Sequence, residues 1–334
     1  MRKCFQKSSF CIFLILLICN PVLFTSCATS IRFPVERPAE IDSKGATSIA
    51  ILPFSSGNIN RFYYNHSSDA KVIANYIQEE FQKRILRSGY FTLVSAQGLL
   101  KQSSTASACD LYIHGNMYNF SNKIEKILLK SEDNKKKQYL YKRKVTLSVK
   151  YEVVYSRTNE ILYSTTQHIE EESSEYVTPR EVPSFFSLIS SDLSGRINTI
   201  AKKLMPYTTT RHLSLLKTKT KEPEIKEALA TAHKLTKQGL YPLAQSAFMT
   251  LYEQQGIFEA GYNAALLLEA TGQLQKAEEL MSQIFVATNN KKAEKALKAI
   301  QKEILYAQRL HYQKQARKAA TEKTKTSEKY SRRF

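Results

Sequence analysis

The chain has little of what catalysis or a membrane span requires. Its main apolar block, Phe10 to Cys19, runs about ten residues before Asn20-Pro21, where a spanning helix takes about twenty. The six histidines, His66, His114, His168, His212, His233 and His311, never stand three or four apart, so none forms a helical ligand pair. No nucleophile motif, phosphate-binding loop or metal-ligand spacing is present. The expectation is a protein that is not an enzyme and takes no cofactor and no metal. Glu170-Glu171-Glu172, the densest acidic cluster, is expected on a solvated loop. Cysteine is scarce as well, with Cys4, Cys11, Cys19, Cys27 and Cys109.

Those cysteines are unevenly placed. Met1-Arg2-Lys3 with Lys7, the apolar block, and Leu23-Phe24-Thr25-Ser26-Cys27 make a positive n-region, a short h-region and small residues before a cut. The stretch resembles a bacterial lipobox, with Phe24 where Leu, Val or Ile is usual. The resemblance implies that residues 1–26 are a lipoprotein signal peptide and that Cys27 takes a diacylglyceryl group and becomes the N-terminus. One acyl chain binds membranes marginally, while two or more hold stably. Ala28 after the cysteine implies the periplasmic face of the outer membrane, with the inner membrane and the cell surface as alternatives.

Cleavage would leave Cys109 as the one free thiol, so no intramolecular disulfide can form and the core must hold the fold. Net charge falls from +19 to about +16 with the loss of Arg2, Lys3 and Lys7. Export argues against a nucleic-acid partner. The basic patches Lys135-Lys136-Lys137, Lys142-Arg143-Lys144 and the C-terminal tail suit either anionic head groups and acidic wall polymers or a solvated surface.

Residues 27–43, with Pro34 and Pro38, are expected to form an extended, unpacked lipidated tether. Residues 44–216 then alternate strand and helix patterns. Ser48 to Phe54 reads as a buried strand; Ala70, Ile73, Ala74, Ile77, Phe81 and Ile85 form one helical stripe, ended by Gly89. Phe91 to Val94 is a short strand, Ser95 caps a helix through Lys101, and Asp110 to Phe120 is a strand in which Gly115 marks a bulge or close approach. Val145, Leu147, Val149, Tyr151, Val153 and Tyr155 alternate with polar residues, Ser156 to Asn159 turn, and Glu160 to Ile169 returns as a hairpin partner. Phe185 to Leu204 is an amphipathic helix. The class is α/β, a mixed sheet with flanking helices.

The order of these elements resembles the CsgG-like lipoprotein family, which includes the curli secretion channel subunit and the penicillin-binding-protein activators. The residues that carry it are Ile49-Ala50-Ile51-Leu52-Pro53-Phe54, Ser88-Gly89-Tyr90-Phe91, Cys109 to Gly115, and the hairpin Val153 to Leu162. The resemblance implies a non-catalytic domain used in envelope assembly. In the curli channel two hairpins per subunit build a membrane barrel. The corresponding segments here, 121–144 and 166–184, carry Lys130 to Lys137 and Glu170-Glu171-Glu172 with Glu175 rather than an apolar band.

Residues 217–224 read as a basic linker, and 225–310 as helical with an internal repeat. Leu235 to Ala244 recurs as Leu268 to Ala277, with Gly239 and Gly272 placed to end first helices, Ala244 and Ala277 at close approaches, and Phe248 and Met281 at bulky positions. The pattern resembles divergent tetratricopeptide (TPR) repeats, with Ala228 and Gly261 where that family often has an aromatic and Asn263-Ala264-Ala265 in the second unit. Lys291 to Leu310 is a capping helix. Residues 311–334 are expected to be a basic, disordered tail.

Such an array implies a docking surface for an envelope protein, with Tyr241, Tyr262 and Lys276 as candidate contacts, or else self-packing and a homo-oligomer. The functional expectation is a lipid-anchored assembly factor or adaptor, tethered through Cys27. The alternative is an oligomeric curli-type outer-membrane secretion channel.

Overall fold

The strongest period-2 segment of the chain becomes an interior strand of its sheet. In a computed structural model that describes residues 29–55, 67–96, 109–129, 138–218 and 220–331, strand β5 (Gln138–Tyr155) turns Val145, Leu147, Val149, Tyr151 and Val153 fully inward. It is flanked by β4 (Leu111–Leu129) and β6 (Glu160–Glu172), both antiparallel to it. Two short parallel strands, β2 (Ser48–Ile51) and β3 (Thr92–Val94), complete the order β3-β2-β4-β5-β6. Asn159 takes φ 55° in the turn into β6, a conformation asparagine tolerates better than most residues.

Helices α1 (Ser67–Ser88) and α2 (Phe185–Leu204) supply the other half of this core. Ile73, Ile77, Phe81 and Ile85 of the first, and Ile189, Leu193, Ile197 and Ile200 of the second, pack with the inward side chains of β4 and β5. Gly115 on β4 is a close approach: a Cβ there would collide with the Lys150 carbonyl and stand 2.5 Å from Cε1 of Phe54. The opposite face carries a small apolar group, Ala50 and Cys109 with Leu52, Val94 and Tyr112, and is polar around Glu152. Lys150 pairs with Glu152 at 2.8 Å, and His114 stands 3.3 Å from Glu152. Glu170 and Glu172 lie on β6 rather than on a loop, where Lys144 and Lys142 pair with them across the ladder.

The chain divides into two compact units. The sheet unit takes Val35–Thr209 together with the chain from Leu305 onward; the helical unit takes the described residues up to Pro34 and Thr210–Ile304. These bounds correct two expectations. Residues 27–43 are not an unpacked tether over their described part, because Ser30–Arg37 is a strand, β1, that pairs with β7 (Tyr207–Ser214) in a two-stranded ribbon. Ile31, Ala39 and Ile41 are buried. Pro34 is tolerated because each strand of such a ribbon has a free edge.

The tail 311–334 is likewise not disordered over its described part. Helix α7 runs Lys291–Ser331. Beyond Leu305 its contacts within the sheet unit are polar: Gln313 bonds the backbone of Ala39, and Arg317 donates to the Gly89 carbonyl at 3.1 Å and lies over the Tyr90 ring. Contacts of this kind leave no apolar stripe to read in the sequence.

The helical unit is built of two hairpins and the start of α7: α3 (Pro223–Lys237), α4 (Tyr241–Gln255), α5 (Phe258–Ala270) and α6 (Leu274–Thr288). α3 and α5 end alike. Gly239 and Gly272 take φ 76° and 79°, and the next residue's N–H reaches back to the Leu235 and Leu268 carbonyls at 3.0 and 2.9 Å. This closure satisfies carbonyls that the helix end would otherwise orphan, and glycine adopts it without a Cβ penalty. Ala244, Ala277, Phe248 and Met281 are all fully buried, as their place in the repeat predicts. No helix among the described residues is long and apolar enough to cross a membrane.

Candidate functional site

The repeat that organises the helical unit also builds a cleft beside its first helix. Asn263, fully buried on α5, accepts from the Leu216 N–H at 2.7 Å and donates to the Leu216 carbonyl at 2.9 Å. This pair of bonds fixes the segment that follows β7 against the array. One residue earlier, the Leu215 N–H donates to the Thr29 carbonyl at 2.9 Å, which holds the start of the described chain alongside. A buried ion cluster secures β7: Arg211 contacts the Glu269 carboxylate at 2.8 Å and stands 3.6 Å from Glu303.

Helix α3 lies against this frame and presents Lys226, Leu229, Ala230, His233, Lys234 and Lys237. The spacing of three, four, seven, eight and eleven residues from Lys226 puts them on one helical face. With Thr29, Lys217 and Thr218 they enclose a cleft of about 380 Å³. Its floor is buried Leu229 and Thr29, its rim is exposed lysine, and no carboxylate lines it. Lys226, Lys234 and Lys237 have no ion-pair partner among the described residues.

Two polar atoms in the cleft wall are buried without a hydrogen-bond partner, the Thr218 hydroxyl and Nδ1 of His233. The imidazole packs edge-on to Phe248, ring centroids 5.1 Å apart. Burial pushes its pKa below the usual imidazole range; Lys217 and Lys237 push the same way and the Leu216 carbonyl opposes them. The arrangement offers cations and a hydroxyl donor around an unfilled polar wall. It holds no nucleophile paired with a base.

The sequence-predicted contacts fall elsewhere in the array and do not converge. Tyr262, half-buried on α5, stacks at a tilt on Phe258, and burial followed by the Glu269 charge raises its pKa. Tyr241 is half-buried at the start of α4 and packs on the helical core. Lys276 is exposed on α6 with Nζ 3.2 Å from the Gln273 amide oxygen. No hydrogen bond, ion pair or ring contact joins any two of the three among the described residues. Cys27, His66, the helix expected after Ser95 and the charges at 130–137 lie outside the described residues.

Cys109 is buried, and burial, then the Asp110 charge, pushes its thiol up to about 11, so the thiolate is scarce at neutral pH. Among the described residues no group of three or more His, Cys, Asp or Glu is placed to hold a metal.

The cleft was the feature least visible in the sequence. Its signal was the 3.6-residue period of cations in Lys226 to Lys237, which a count of net charge conceals.

No family model matches the chain, and no curated protein does. Among solved structures it is similar in part to the PelC dodecamer from Paraburkholderia phytofirmans, at 12% identity over 53% of this chain and 98% of that one, with a TM-score of 0.30. The lipoprotein GNA1162 from Neisseria meningitidis matches at 16% identity over 46% of this chain and 98% of its own, TM-score 0.24. A minor lipoprotein from Acinetobacter baumannii matches at 9% identity over 47% and 91%, TM-score 0.25. Likeness at this level carries no argument about what the chain does.

Proposed function

We propose that the protein is a non-catalytic adaptor or assembly factor of the bacterial envelope, acylated on Cys27, that docks a partner protein on its helical unit. The observation that carries the reading is the repeated closure at Gly239 and Gly272, which stacks two equivalent helix hairpins. Stacked hairpins of the TPR kind expose a continuous surface suited to a peptide or a partner domain. Leu243, 59% exposed on α4, and Val286, 80% exposed on α6, are apolar side chains on that surface without a covering element. The sheet unit would be the scaffold, and the lipobox-like stretch ending at Cys27 the membrane attachment. The periplasmic face of the outer membrane is the site this reading favours.

An oligomeric channel would require part of the β4–β5 arm to face lipid. Lys123, Glu125, Lys126, Lys142 and Arg143 stand on that arm, and charges on a lipid face cost about 2–4 kcal/mol each near the midplane. The adaptor reading avoids that cost.

The test is photo-crosslinking in the native envelope from the full chain, with the reactive side chain at Leu243, Val286 or Lys276 and, for comparison, at Thr166 on β6. The adaptor reading expects one discrete heterologous adduct from the array positions. Adducts only from Thr166, or only between copies of this chain, would contradict it.

A further inference from the structure

We infer that the cleft lined by Thr29, Thr218, His233 and the lysine face of α3 binds the phosphate of an anionic lipid head group. The choice of ligand rests on the anchor reading above; the cleft itself does not.

Lys234 and Lys237 lie in the last turn of α3, where a cation is favoured by the helix dipole. The dipole does not account for Lys226, three turns before Lys237 on the same face. Lys226, Lys234 and Lys237, three cations on one helix face without an ion-pair partner among the described residues, repel one another, and an anion relieves that repulsion.

The second observation is independent of charge. A buried hydroxyl and a buried ring nitrogen without partners are costly, and native proteins rarely leave them so. Both belong to the wall of this cleft. A phosphate oxygen accepts from the Thr218 hydroxyl, and the negative charge draws a proton onto His233 Nδ1, which then donates as well. The groups that face this imidazole are Lys217 and the Leu216 carbonyl from the segment after β7, Lys237 from its own helix, and the Phe248 ring from α4.

The third observation is position. Thr29 lines the cleft, and Cys27 precedes it by two residues, at most about 7 Å of extended chain. An acyl group on Cys27 therefore brings the lysine face to head-group depth. A lipid chain and a basic patch together hold a protein on a membrane far better than a single chain does.

The experiment uses the full mature chain carrying Cys27→Ala, so that acylation plays no part. Binding is measured by co-sedimentation with vesicles of phosphatidylglycerol and phosphatidylcholine in equal parts and with phosphatidylcholine alone. The protein should bind the anionic vesicles only. Replacing Lys226, Lys234 and Lys237 together by Gln should weaken binding about a hundredfold, since each basic residue near such a surface contributes about fivefold. Thr218→Val should cost about tenfold with unchanged thermal unfolding. Replacing Lys291, Lys292 and Lys295 by Gln, an equal loss of charge on α7, should leave binding nearly intact. Equal loss from both lysine sets would reduce the effect to net charge and overturn the site. Tight calorimetric binding of inorganic phosphate, with no preference for anionic vesicles, would overturn the lipid assignment.

Discussion

The side-chain amide of Asn263 makes both of its backbone hydrogen bonds to one residue, Leu216, 47 positions earlier in the chain. In effect a side chain completes a peptide ladder that no strand is there to supply. It fixes the segment that carries Lys217 and Thr218 to the second repeat hairpin. Asn263→Ala removes both bonds and leaves the Leu216 amide group to find other partners, at a cost of about 2–4 kcal/mol. Urea unfolding should show the loss as a lower midpoint with the slope unchanged.

Arg211 stands between Glu269 and Glu303, whose side chains are only 2% and 9% exposed. Removing the guanidinium takes a cation away from two buried carboxylates. Arg211→Met should destabilise the helical unit by about 3–5 kcal/mol, and adding Glu269→Leu should recover part of that. A thermal scan of the two variants separates this outcome from a surface ion pair, whose loss would shift the midpoint little.

Asp110 holds the sheet unit together at its strand ends. One carboxylate oxygen accepts from the backbone N–H and hydroxyl of Thr47, at 2.9 and 3.0 Å, and from those of Ser48, at 3.1 and 3.0 Å. Burial alone would raise its pKa, but these bonds outweigh it and hold the carboxyl below the ordinary carboxylate value. A lowered folded-state pKa gives stability that is fully present above about pH 4 and is lost as pH falls through the folded value. Unfolding midpoints measured between neutral and acid pH should fall in that window, and Asp110→Asn should be less stable at neutral pH and flatter below it.

Local patterns made much of this fold legible. The alternation of Val145 to Val153 located the interior strand β5, Asn159 its turn, and Phe185 to Leu204 a helix with those bounds. Gly239 and Gly272 marked two helix ends. What escaped were elements held by partners far away in sequence. β1 pairs with β7 across most of the chain, and its prolines read as a tether. The second half of α7 meets the sheet unit through Gln313, whose amide makes both bonds to Ala39, 274 residues away, in the same geometry as Asn263 and Leu216. A polar side chain that serves as a backbone partner carries no hydrophobic period. The lysine face of α3 was hidden for a related reason, because evenly basic composition conceals a periodic face.

The central claim is that the chain is held on the envelope by an acyl group on Cys27, from which both units hang. The direct measurement is the mass of the N-terminal peptide of protein extracted from native membranes. This peptide should begin at Cys27 and carry a diacylglyceryl group on the thiol. A chain that begins elsewhere, or an unmodified Cys27 thiol, would contradict it.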